Sequence, residues 1–508
     1  MATKFVTQTG GGDGSDNTHP LSIAQFNAGT GIDAGDTVQV SGAVTTQIVT
    51  PKTALVMRAD FPDMPLIIPS GAAQSSILAL DKSLCKAVGF NFSIPDDASC
   101  NGIYLKTVTD LEVYGCDIYC SDEMAIYSYT GGIGSIHDNI FNSGFNAVGD
   151  PAVKITIPGS TVEDNVFNCG TSVALRFDAQ ATAKRNAFVG GSRRCIYLTS
   201  NGSLVEANTF DNNGVDILYP DGIAGAIEIA ANASANKMLR NIIRNCYLGI
   251  IMNATGGTDE NIAAFNFILR PVVNGITITD DAGVGFNHAY HNTIIHSPRA
   301  GNTPAYVGHA IACQNNAQRL KAANNLICIE HVGEDTHGLF ITDEPARVMA
   351  VHTDYNAYCG VAGAAFYRND GVNYSTIADI RANAQADAEI FGMDGVSGSA
   401  EAHSRVMSET IPSTGKISAT SKACRSALVI AGINDAGQLD PWGNATPALP
   451  NIGADQQDYA TGFGPWSPCD GILPTSAQPC KSHTLPIGVG KITVFPGIAS
   501  QGQIEEAK

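Results

Sequence analysis

The chain has 508 residues, of which 15% are charged and 7% are aromatic, and it contains 53 glycines. Abundant glycine and few charges favour many short strands and turns over a helical bundle. The 48 acidic and 29 basic side chains give a net charge of -19, which opposes non-specific binding to nucleic acid or to an anionic membrane surface. No apolar run could span a bilayer, and the chain opens without an apolar leader, so export by that route would require a leader that has been removed.

The 13 cysteines are odd in number, and several fall within predicted strands, where a free thiol acts as a small apolar side chain. We expect most of them to be reduced, which is compatible with assembly in a reducing cytoplasm. Cys469 and Cys480 lie in a proline-rich tail and are the one pair predicted to form a local disulfide.

Residues 1–50 carry three structural signals in succession. A Gly/Asp-rich turn spans residues 9–16, a helix signal begins near Pro20, and a first strand is indicated at residues 35–40. An open solenoid exposes unpaired strand edges at its ends, so we expect residues 1–50 to cap the first one.

A four-residue phrase recurs through most of residues 51–375. The copy at residues 226–229, Ala-Ile-Glu-Ile, has a small residue first, apolar residues second and fourth, and a free third position, which is the alternation of a strand with one buried face. Successive copies lie 21 to 35 residues apart, a period typical of solenoid coils. The second residues should form a buried stack, and the small first residue should lie where the backbone turns tightly. The copies begin at residues 102, 125, 152, 174, 195, 226, 249, 275, 310 and 338.

A second repeat runs in phase with the first. It consists of Asn, or once Asp, then any residue, and then a large apolar residue. Asn tolerates the left-handed conformation that a sharp bend requires, and its amide can hydrogen-bond the same Asn one coil away. The second repeat therefore predicts stacked side chains at one bend of each coil. It begins at residues 117, 139, 165, 186, 208, 241, 292, 325 and 356.

The N-terminal signals, the Gly-Asp-Thr-Val-x-Val strand at residues 35–40 and the two phased repeats resemble the right-handed parallel β-helix proteins of the pectate-lyase-like type. The resemblance implies an all-β, right-handed, single-stranded parallel β-helix of about 11 coils over residues 51–375, with an N-terminal helix cap over residues 1–50. Residues 376–455 should hold a short helix, indicated by a helical period at residues 377–384, and closing coils, since residues 420–455 resemble the closing segment of secreted members. Residues 456–508 form a C-terminal extension expected to dock or to mediate oligomerisation.

The third position of the phrase is predicted to point outward, so its residues should form a row along one face. Tyrosines beside cations on such a face could stack sugar rings and pair acidic groups. The alternatives are an ordinary mixed sheet face, or a subunit interface that includes Ile251 and Phe340 further along the row. The candidate glycan-binding residues are Tyr104, Tyr127, Lys154, Arg176 and Tyr197, with Arg193 and Arg194 beside them.

Carboxylates follow two phrases that lie two coils apart, and they are Asp280, Asp281, Asp343 and Glu344. Equivalent positions two coils apart are separated by roughly 10 Å, slightly beyond the ~6.5–9.5 Å carboxyl gap of an inverting glycosidase. They could therefore be a catalytic pair, turn-forming residues or ligands of calcium. His337 is the histidine predicted to transfer protons. No zinc-binding spacing, phosphate loop or nucleophile elbow accompanies it in the sequence.

Two functions are compatible with these features. The leading hypothesis is a virion-associated or cell-surface rod, a decoration or tailspike-like protein, that binds a surface glycan. It would assemble in the cytoplasm as a homotrimer and attach to a larger assembly through residues 456–508. The alternative is a secreted polysaccharide lyase or glycoside hydrolase acting on an acidic polysaccharide. Neither hypothesis includes a nucleic acid partner, a membrane span or a resident metal other than calcium.

Overall fold

The fold is taken from a computed structural model, which describes residues 1–59, 66–67, 76–94, 101–106, 108–120, 124–128, 134–143, 151–169, 173–190, 194–211, 225–253, 260–279, 285–296, 308–314, 319–330, 336–341, 350–369, 371–407, 440–442, 444–445, 452–454, 483–487 and 490–494. The chain divides into two compact units. Unit 1 is Met1–Ile196 with Pro479–Lys508, and unit 2 is Tyr197–Gln478.

Successive coils in each unit add strands to three parallel sheets, which we call sheets 1, 2 and 3. In unit 1, sheet 1 comprises Ile48–Val49, Ser76–Leu80, Asn101–Leu105, Ile126–Ser128, Val153–Ile155 and Leu175–Phe177. Sheet 2 comprises Thr3–Thr7, Leu21–Ser22, Thr37–Ala43, Val56–Arg58, Leu66–Ile67, Lys86–Val88, Leu111–Tyr114, Gly134–His137, Thr161–Glu163 and Thr182–Lys184. Sheet 3 comprises Asn91–Ile94, Asp117–Cys120, Ile140–Ser143, Val166–Asn168 and Ala187–Val189.

In unit 2, sheet 1 comprises Gly225–Ile229, Leu248–Asn253, Ile276–Thr279, Gly308–Gln314, Thr336–Ile341 and Ala365–Asn369, with Val372–Tyr374 antiparallel at its edge. Sheet 2 comprises Leu204–Glu206, Lys237–Leu239, Ile262–Ala264, Asn287–Tyr290, Arg319–Ala323, Ala350–Asp354 and Ile390–Phe391. Sheet 3 comprises Thr209–Asp211, Ile242–Arg244, Phe267–Leu269, Thr293–His296, Leu326–Ile329, Ala357–Gly360 and Arg405–Met407. The strand Ile196–Leu198 lies at the unit boundary, and His483–Ile487 pairs with Gly490–Val494 in an antiparallel hairpin.

The parallel register of sheet 1 confirms the predicted buried stack. In unit 1 the second residues of the phrase align from coil to coil and are fully buried, and they are Ile103, Ile126, Val153 and Leu175. In unit 2 the aligned and buried residues are Ile227, Ile250, Ile276, Ile311 and Leu339. Burying each of these side chains contributes about 1.5–3 kcal/mol, so the stack is a main source of stability.

The small first residue of the phrase allows a close approach between coils. A Cβ at Gly249 would lie 2.3 Å from the carbonyl oxygen of Gly275, and a Cβ at Gly338 would lie 2.4 Å from that of Phe366. Neither glycine has a left-handed φ. The predicted turn role is therefore wrong at these two positions, where glycine is required by the neighbouring backbone.

The N-terminal cap contains the predicted short helix, Ile23–Asn27. Its start is set by a capping box, because the Gln25 amide donates to Ser22 Oγ at 3.2 Å and the Ser22 amide donates to Gln25 Oε1 at 2.8 Å. The sequence prediction missed the strand Thr3–Thr7, which precedes the helix and pairs in parallel with Thr37–Ala43. Its weak apolar alternation gave no separate strand signal.

Stacked asparagines line the bend between sheets 2 and 3, as predicted. Within each unit, every ladder amide before the last donates to the Oδ1 of the Asn in the next coil, at 2.9–3.1 Å. Each accepting Oδ1 also receives a backbone N–H from the coil before it. The buried amides are therefore hydrogen-bonded on both sides. The ladder consists of Asn139, Asn165 and Asn186 in unit 1, and of Asn208, Asn241, Asn266, Asn292, Asn325 and Asn356 in unit 2.

Two details of the predicted ladder are wrong. Asp117 is not a member, because Cys116 occupies the ladder position and its amide donates to Asn139 Oδ1 at 3.0 Å. The left-handed residue is the one before each Asn, for example Phe265 and Tyr355, which both have φ of +58°. The structure also adds a second ladder, at the bend between sheets 1 and 2 of unit 2, formed by Asn236, Asn261 and Asn287.

The described part of residues 376–455 contains the predicted helix, Ile377–Ala386, and two stretches that pack on sheet 3 of unit 2. The Trp442 ring lies 5.6 Å from that of Phe267, and Ile452 is fully buried in the same apolar cluster. The Ala454 amide donates to Thr293 Oγ1 at 2.8 Å. This segment therefore covers the outer face of sheet 3, which is apolar in unit 2.

The cysteines of the described ranges are free thiols, as expected, and all except Cys169 are buried. The proposed Cys469–Cys480 pair lies outside those ranges. Within them, no helix is both long and apolar enough to cross a membrane.

We predict that Asn165→Ala destabilises unit 1. The change removes an amide that donates to the Ile136 and Glu163 carbonyls and to Asn186 Oδ1, and each buried group left without a partner costs about 1–3 kcal/mol. Calorimetry should show a lower unfolding midpoint than in the wild type. The matched control is Asn91→Ala, at an exposed position of sheet 3, and equal midpoints for the two variants would contradict a structural role of the ladder.

The last coil of unit 2 encloses a carboxyl group. Glu401 is fully buried, and its Oε1 accepts hydrogen bonds from the hydroxyls of Thr353 and Tyr358, the latter at 2.9 Å. Burial raises the pKa of Glu401 above its ordinary value, because the charged form is poorly solvated. Ionisation of this group therefore opposes folding.

We predict that Glu401→Gln stabilises the protein at pH 7 but not at pH 4. A carboxyl whose folded pKa is raised contributes stability below its unfolded pKa and loses that contribution as the pH rises, whereas Gln does not titrate. Thermal unfolding at several pH values should show a variant-minus-wild-type difference that grows from pH 4 to pH 7. Glu330→Gln, at a half-buried carboxylate, serves as the control, and a Glu401→Gln difference that does not change with pH would disprove the assignment.

Candidate functional site

The third-position residues of sheet 1 form a row on the outer face of unit 1. Tyr104 aligns with Tyr127, Tyr127 with Lys154, and Lys154 with Arg176 in the parallel register. Their neighbours along each strand point into the core, so alternation directs these four side chains outward. All four are partly exposed, as predicted. We call Tyr104, Tyr127, Lys154 and Arg176 the aromatic–cation row.

The side chains of the row contact one another. The rings of Tyr104 and Tyr127 lie 5.6 Å apart and are inclined by 32°. Lys154 Nζ lies 5.5 Å from the centre of the Tyr127 ring, within the range of a cation–π contact. Lys154 Nζ is also 3.5 Å from Asp178 Oδ2, and Arg176 Nε donates to Asp178 Oδ1 at 2.6 Å. Two cations therefore share one carboxylate.

A similar arrangement lies at the carboxyl edge of earlier sheet 1 strands. Lys106 and Lys82 approach the carboxylate of Asp81 at 3.9 and 3.7 Å. Together with the pair at Asp178, the described residues of this face place four cations beside two carboxylates. Among the described side chains, this group is positive, in a chain whose net charge is -19. A negatively charged ligand would thus meet a favourable potential here and an unfavourable one over most of the molecule.

In unit 2 the third-position residues are mostly buried, so the predicted exposed row does not extend there. Glu228 is 2% exposed, Ile251 is 4% exposed, and Thr277 and Ala312 are also buried. Ile251 is therefore covered within its own chain, which argues against the predicted subunit contact at this residue. Next to this face, the Asn253 side chain donates to Glu228 Oε1 at 3.4 Å and accepts from the Thr279 hydroxyl.

His337 lies in unit 2 and is fully buried. Its Nε2 is 2.8 Å from Asn373 Oδ1, and its Nδ1 is 3.2 Å from Nδ1 of His309. The amide oxygen can only accept, so His337 Nε2 carries the proton, and His337 Nδ1 accepts from His309. His337 thus has both ring nitrogens engaged within the protein. Its predicted role in proton transfer stays a prediction.

His309 packs beside it, and its ring stacks on that of Phe340 with centres 4.1 Å apart. Burial lowers the pKa of His309 to about 3, and the nearby His337, His296 and Arg368 add to the shift. His309 is therefore a neutral hydrogen-bond donor to His337 across the physiological range.

Comparisons with known proteins bear on the fold. Residues 101–268 match the family model described as a right handed beta helix region. The fold is a right-handed parallel β-helix. The resemblance of the sequence to right-handed parallel β-helix proteins, inferred from the N-terminal signals and the two phased repeats, is confirmed. No curated protein sequence matches the chain.

Three solved structures resemble this β-helix distantly. A mannuronic acid specific polysaccharide family 6 lyase from human gut microbiota has 12% identity and a TM-score of 0.44, over 77% of this chain and 96% of that one. A pectate lyase has 15% identity and a TM-score of 0.35, over 90% and 97%. A periplasmic alginate epimerase has 13% identity and a TM-score of 0.33, over 66% and 74%. Likenesses at this distance do not indicate an activity or a substrate for this chain.

The remaining predicted site residues of the β-helix are not gathered into one place by the described structure. Arg194 precedes a sheet 1 strand, and its carbonyl accepts the Ala174 amide at 3.3 Å. Tyr197 is partly exposed and belongs to unit 2. The predicted residues outside the described ranges are Arg193, Asp280, Asp281, Asp343 and Glu344.

Among the residues that the structure describes, no three or more His, Cys, Asp or Glu side chains converge as metal ligands. The carboxylates considered for calcium lie outside them, so calcium binding stays a prediction. Sequence reasoning also missed Asp178, which joins Lys154 to Arg176. The available signal was its position directly after the phrase, where Lys106 also lies.

We predict that His309 makes the β-helix sensitive to acid. Its folded pKa lies below the unfolded value of about 6.5, so protons bind preferentially to the unfolded chain, and stability is lost as the pH falls below that value. His309→Gln should narrow the drop in unfolding midpoint between pH 7 and pH 4.5. His19→Gln, at a largely exposed histidine, is the control. If the unfolding midpoint drops equally between pH 7 and pH 4.5 in the wild type and in His309→Gln, His309 does not cause the acid sensitivity.

Proposed function

We propose that this protein is a glycan-binding β-helix that acts by adhesion and holds its ligand on the aromatic–cation row. The observation that carries the proposal is the register: two tyrosines and two cations occupy the same position on four successive coils. The proposed setting is a virion or cell surface, with assembly as a homotrimer and attachment through residues 456–508. This setting rests on the free cysteines and the non-repetitive tail.

The geometry of the row suits an extended polymer. Aligned residues of neighbouring coils repeat at roughly 4.8 Å, so a chain that crosses the strands meets one side chain per coil. Tyrosine rings offer flat apolar faces with a polar edge, which suit the C–H faces and hydroxyls of a sugar. Lys154 and Arg176 would pair acidic groups of the same polymer, Arg176 with a planar fork of donors. The proposed ligand is therefore a glycan that carries carboxylate or sulfate groups.

The alternative is a secreted polysaccharide lyase or glycoside hydrolase that acts on an acidic polysaccharide. The sequence feature that favours it is the pair of carboxylate positions two coils apart, at residues 280–281 and 343–344. Incubation with polygalacturonate and alginate, followed by assay for unsaturated and reducing ends, separates the two functions. If the wild type forms new chain ends and Asp280→Asn or Asp343→Asn does not, the protein is an enzyme, and the proposal of adhesion is wrong.

We predict that Tyr127→Ala weakens binding of an acidic polysaccharide roughly tenfold, since one ring contact of about 1.4 kcal/mol is lost together with the platform under Lys154. Affinity electrophoresis in gels containing polygalacturonate or dextran sulfate measures the change. Tyr119→Ala provides the matched control, because Tyr119 is 40% exposed on sheet 3 of the same unit. If both tyrosine variants bind alike, the row does not hold the ligand.

We predict opposite effects for the charged members of the site. Arg176→Ala should weaken binding, whereas Asp178→Asn should strengthen it, because the Asp178 carboxylate competes with the ligand for Lys154 and Arg176. Both effects should shrink as salt is raised from 20 to about 500 mM, since exposed charges are screened. The same gels test this, and a loss of binding in Asp178→Asn would mean that the carboxylate positions the cations rather than competing for them.

A further inference from the structure

A second cluster of rings around a cation lies on the outer face of sheet 2 in unit 2. His288 aligns with Lys321, Lys321 with His352, and His352 with Phe391 on successive coils. Phe286 lies directly before the His288 strand. The four residues Phe286, Lys321, His352 and Phe391 are partly exposed, and we call them the Lys321 cluster.

The rings of the Lys321 cluster contact one another. His352 packs edge-on against Phe286 with centres 5.0 Å apart, and it stacks on Phe391 at 5.2 Å. Lys321 Nζ stands 4.7 Å from the centre of the Phe286 ring. This combination of partly exposed aromatic faces and one ammonium group resembles the chemistry of the aromatic–cation row, on a different sheet.

Lys321 differs in its partners from several other cations of the described coils. Lys154 reaches Asp178, Lys86 contacts Glu112, and Arg240 contacts Glu206. Among the described residues, Lys321 has no carboxylate within 4 Å, and its recorded contact is the Phe286 ring. The acidic side chains of the described ranges thus leave this half-buried lysine without an ion pair. An added anion binds more favourably to an ammonium in that position than to an ammonium that already has a carboxylate partner.

The groups around Lys321 are engaged elsewhere. Glu260 Oε2 lies 2.6 Å from His288 Nε2, and Asp394 accepts from the Ser399 hydroxyl at 2.6 Å. Burial lowers the pKa of both His288 and His352, and the Lys321 charge lowers each further, so both rings are neutral near pH 7. Lys321 is therefore the positive group of the cluster.

The tautomer of His352 adds a polar anchor. Its Nδ1 is 3.2 Å from the carbonyl oxygen of Gly392, which can only accept, so Nδ1 carries the proton. The other nitrogen, Nε2, is then an acceptor without a recorded partner in the described structure. A hydroxyl group of a ligand can donate to it while an acidic group of the same ligand pairs with Lys321.

We propose that the Lys321 cluster is a second ligand site, which binds one acidic sugar unit through a carboxylate or sulfate group. Lys321 pairs with the acidic group, the rings of Phe286 and Phe391 face the sugar C–H groups, and His352 Nε2 accepts a hydroxyl hydrogen bond. The site lies within unit 2 and does not depend on the aromatic–cation row. Two independent sites would let one chain hold two glycan segments.

The test uses the full chain with the row disabled by Tyr127→Ala and Arg176→Ala, so that failure of the row and failure of this site are separated. Isothermal titration at low salt with a galacturonic acid tetrasaccharide should show binding in this background. Adding Lys321→Ala should weaken it at least tenfold, as expected for loss of a charge-assisted contact. Lys237→Ala is the matched control, because Lys237 is an exposed lysine in the same row of sheet 2.

Four outcomes would overturn the proposal. The first is no binding by the row-disabled protein, and the second is equal binding by the Lys321→Ala and Lys237→Ala variants. The third is binding of inorganic sulfate as tight as that of the tetrasaccharide, which would make the cluster a simple oxyanion site. Lys321→Gln, checked by its unfolding midpoint, guards against a loss caused by misfolding. A neutral cello-oligosaccharide should not bind, and tight binding of it would exclude the role given to the ammonium.

Discussion

The asparagine ladder sets the coil-to-coil register on which the other features of each unit depend. It works against a local cost: the residue before every ladder Asn is left-handed, and a left-handed residue with a side chain costs roughly 1–2 kcal/mol. Each ladder amide makes several buried hydrogen bonds, each worth about 1 kcal/mol net, so the bend is stable as part of a stack and not alone. The left-handed residues add contacts of their own on the outside, as Arg185 does with Asp164 and as Phe265 does by stacking on His291 at 4.9 Å. A ladder of this kind aligns every strand with its neighbour, and rows of side chains follow from that alignment.

The same repeat produces different surfaces in the two units because the outer faces are not constrained by it. In unit 1 the third positions of sheet 1 carry Tyr127 and Lys154 and are partly exposed, whereas in unit 2 they carry Glu228 and Ile251 and are buried. Sheet 3 of unit 2 likewise has an apolar outer face, and Trp442 and Ile452 pack against it. Burial of an outer face requires a covering segment, which lies far away in sequence. Binding sites are therefore expected where outward residues are polar or aromatic and no segment covers them.

This division explains what could be read from the sequence. The core stack around Ile227 and the ladder around Asn165 were predictable, because their periodicity is imposed by inward packing and by hydrogen bonds between equivalent residues. Asn266 belongs to the ladder but was not predicted. Asp117 was predicted because it fits the pattern, but it lies one residue beyond the ladder position. The burial of Glu228 was not predictable, because alternation tells which way a side chain points and not what covers it. Asp178 was missed for a related reason: its role depends on two cations from two coils, and a pattern within one coil does not contain that pairing.

Charge pairing offers a further step from fold to function. In this acidic β-helix several cations of the described coils lie beside a carboxylate, as Lys86 does beside Glu112 and Arg185 beside Asp164. Such pairs contribute little net stability at a surface, but they neutralise the cation and reduce its attraction for other anions. A cation that shares a carboxylate, like Arg176, or that faces a ring, like Lys321, keeps more of that attraction. In a repeat fold, a neighbouring coil could supply a carboxylate to every outward cation. A cation beside an aromatic face, with no carboxylate partner among the described residues, is therefore the physical feature that distinguishes a binding position from an ordinary sheet surface.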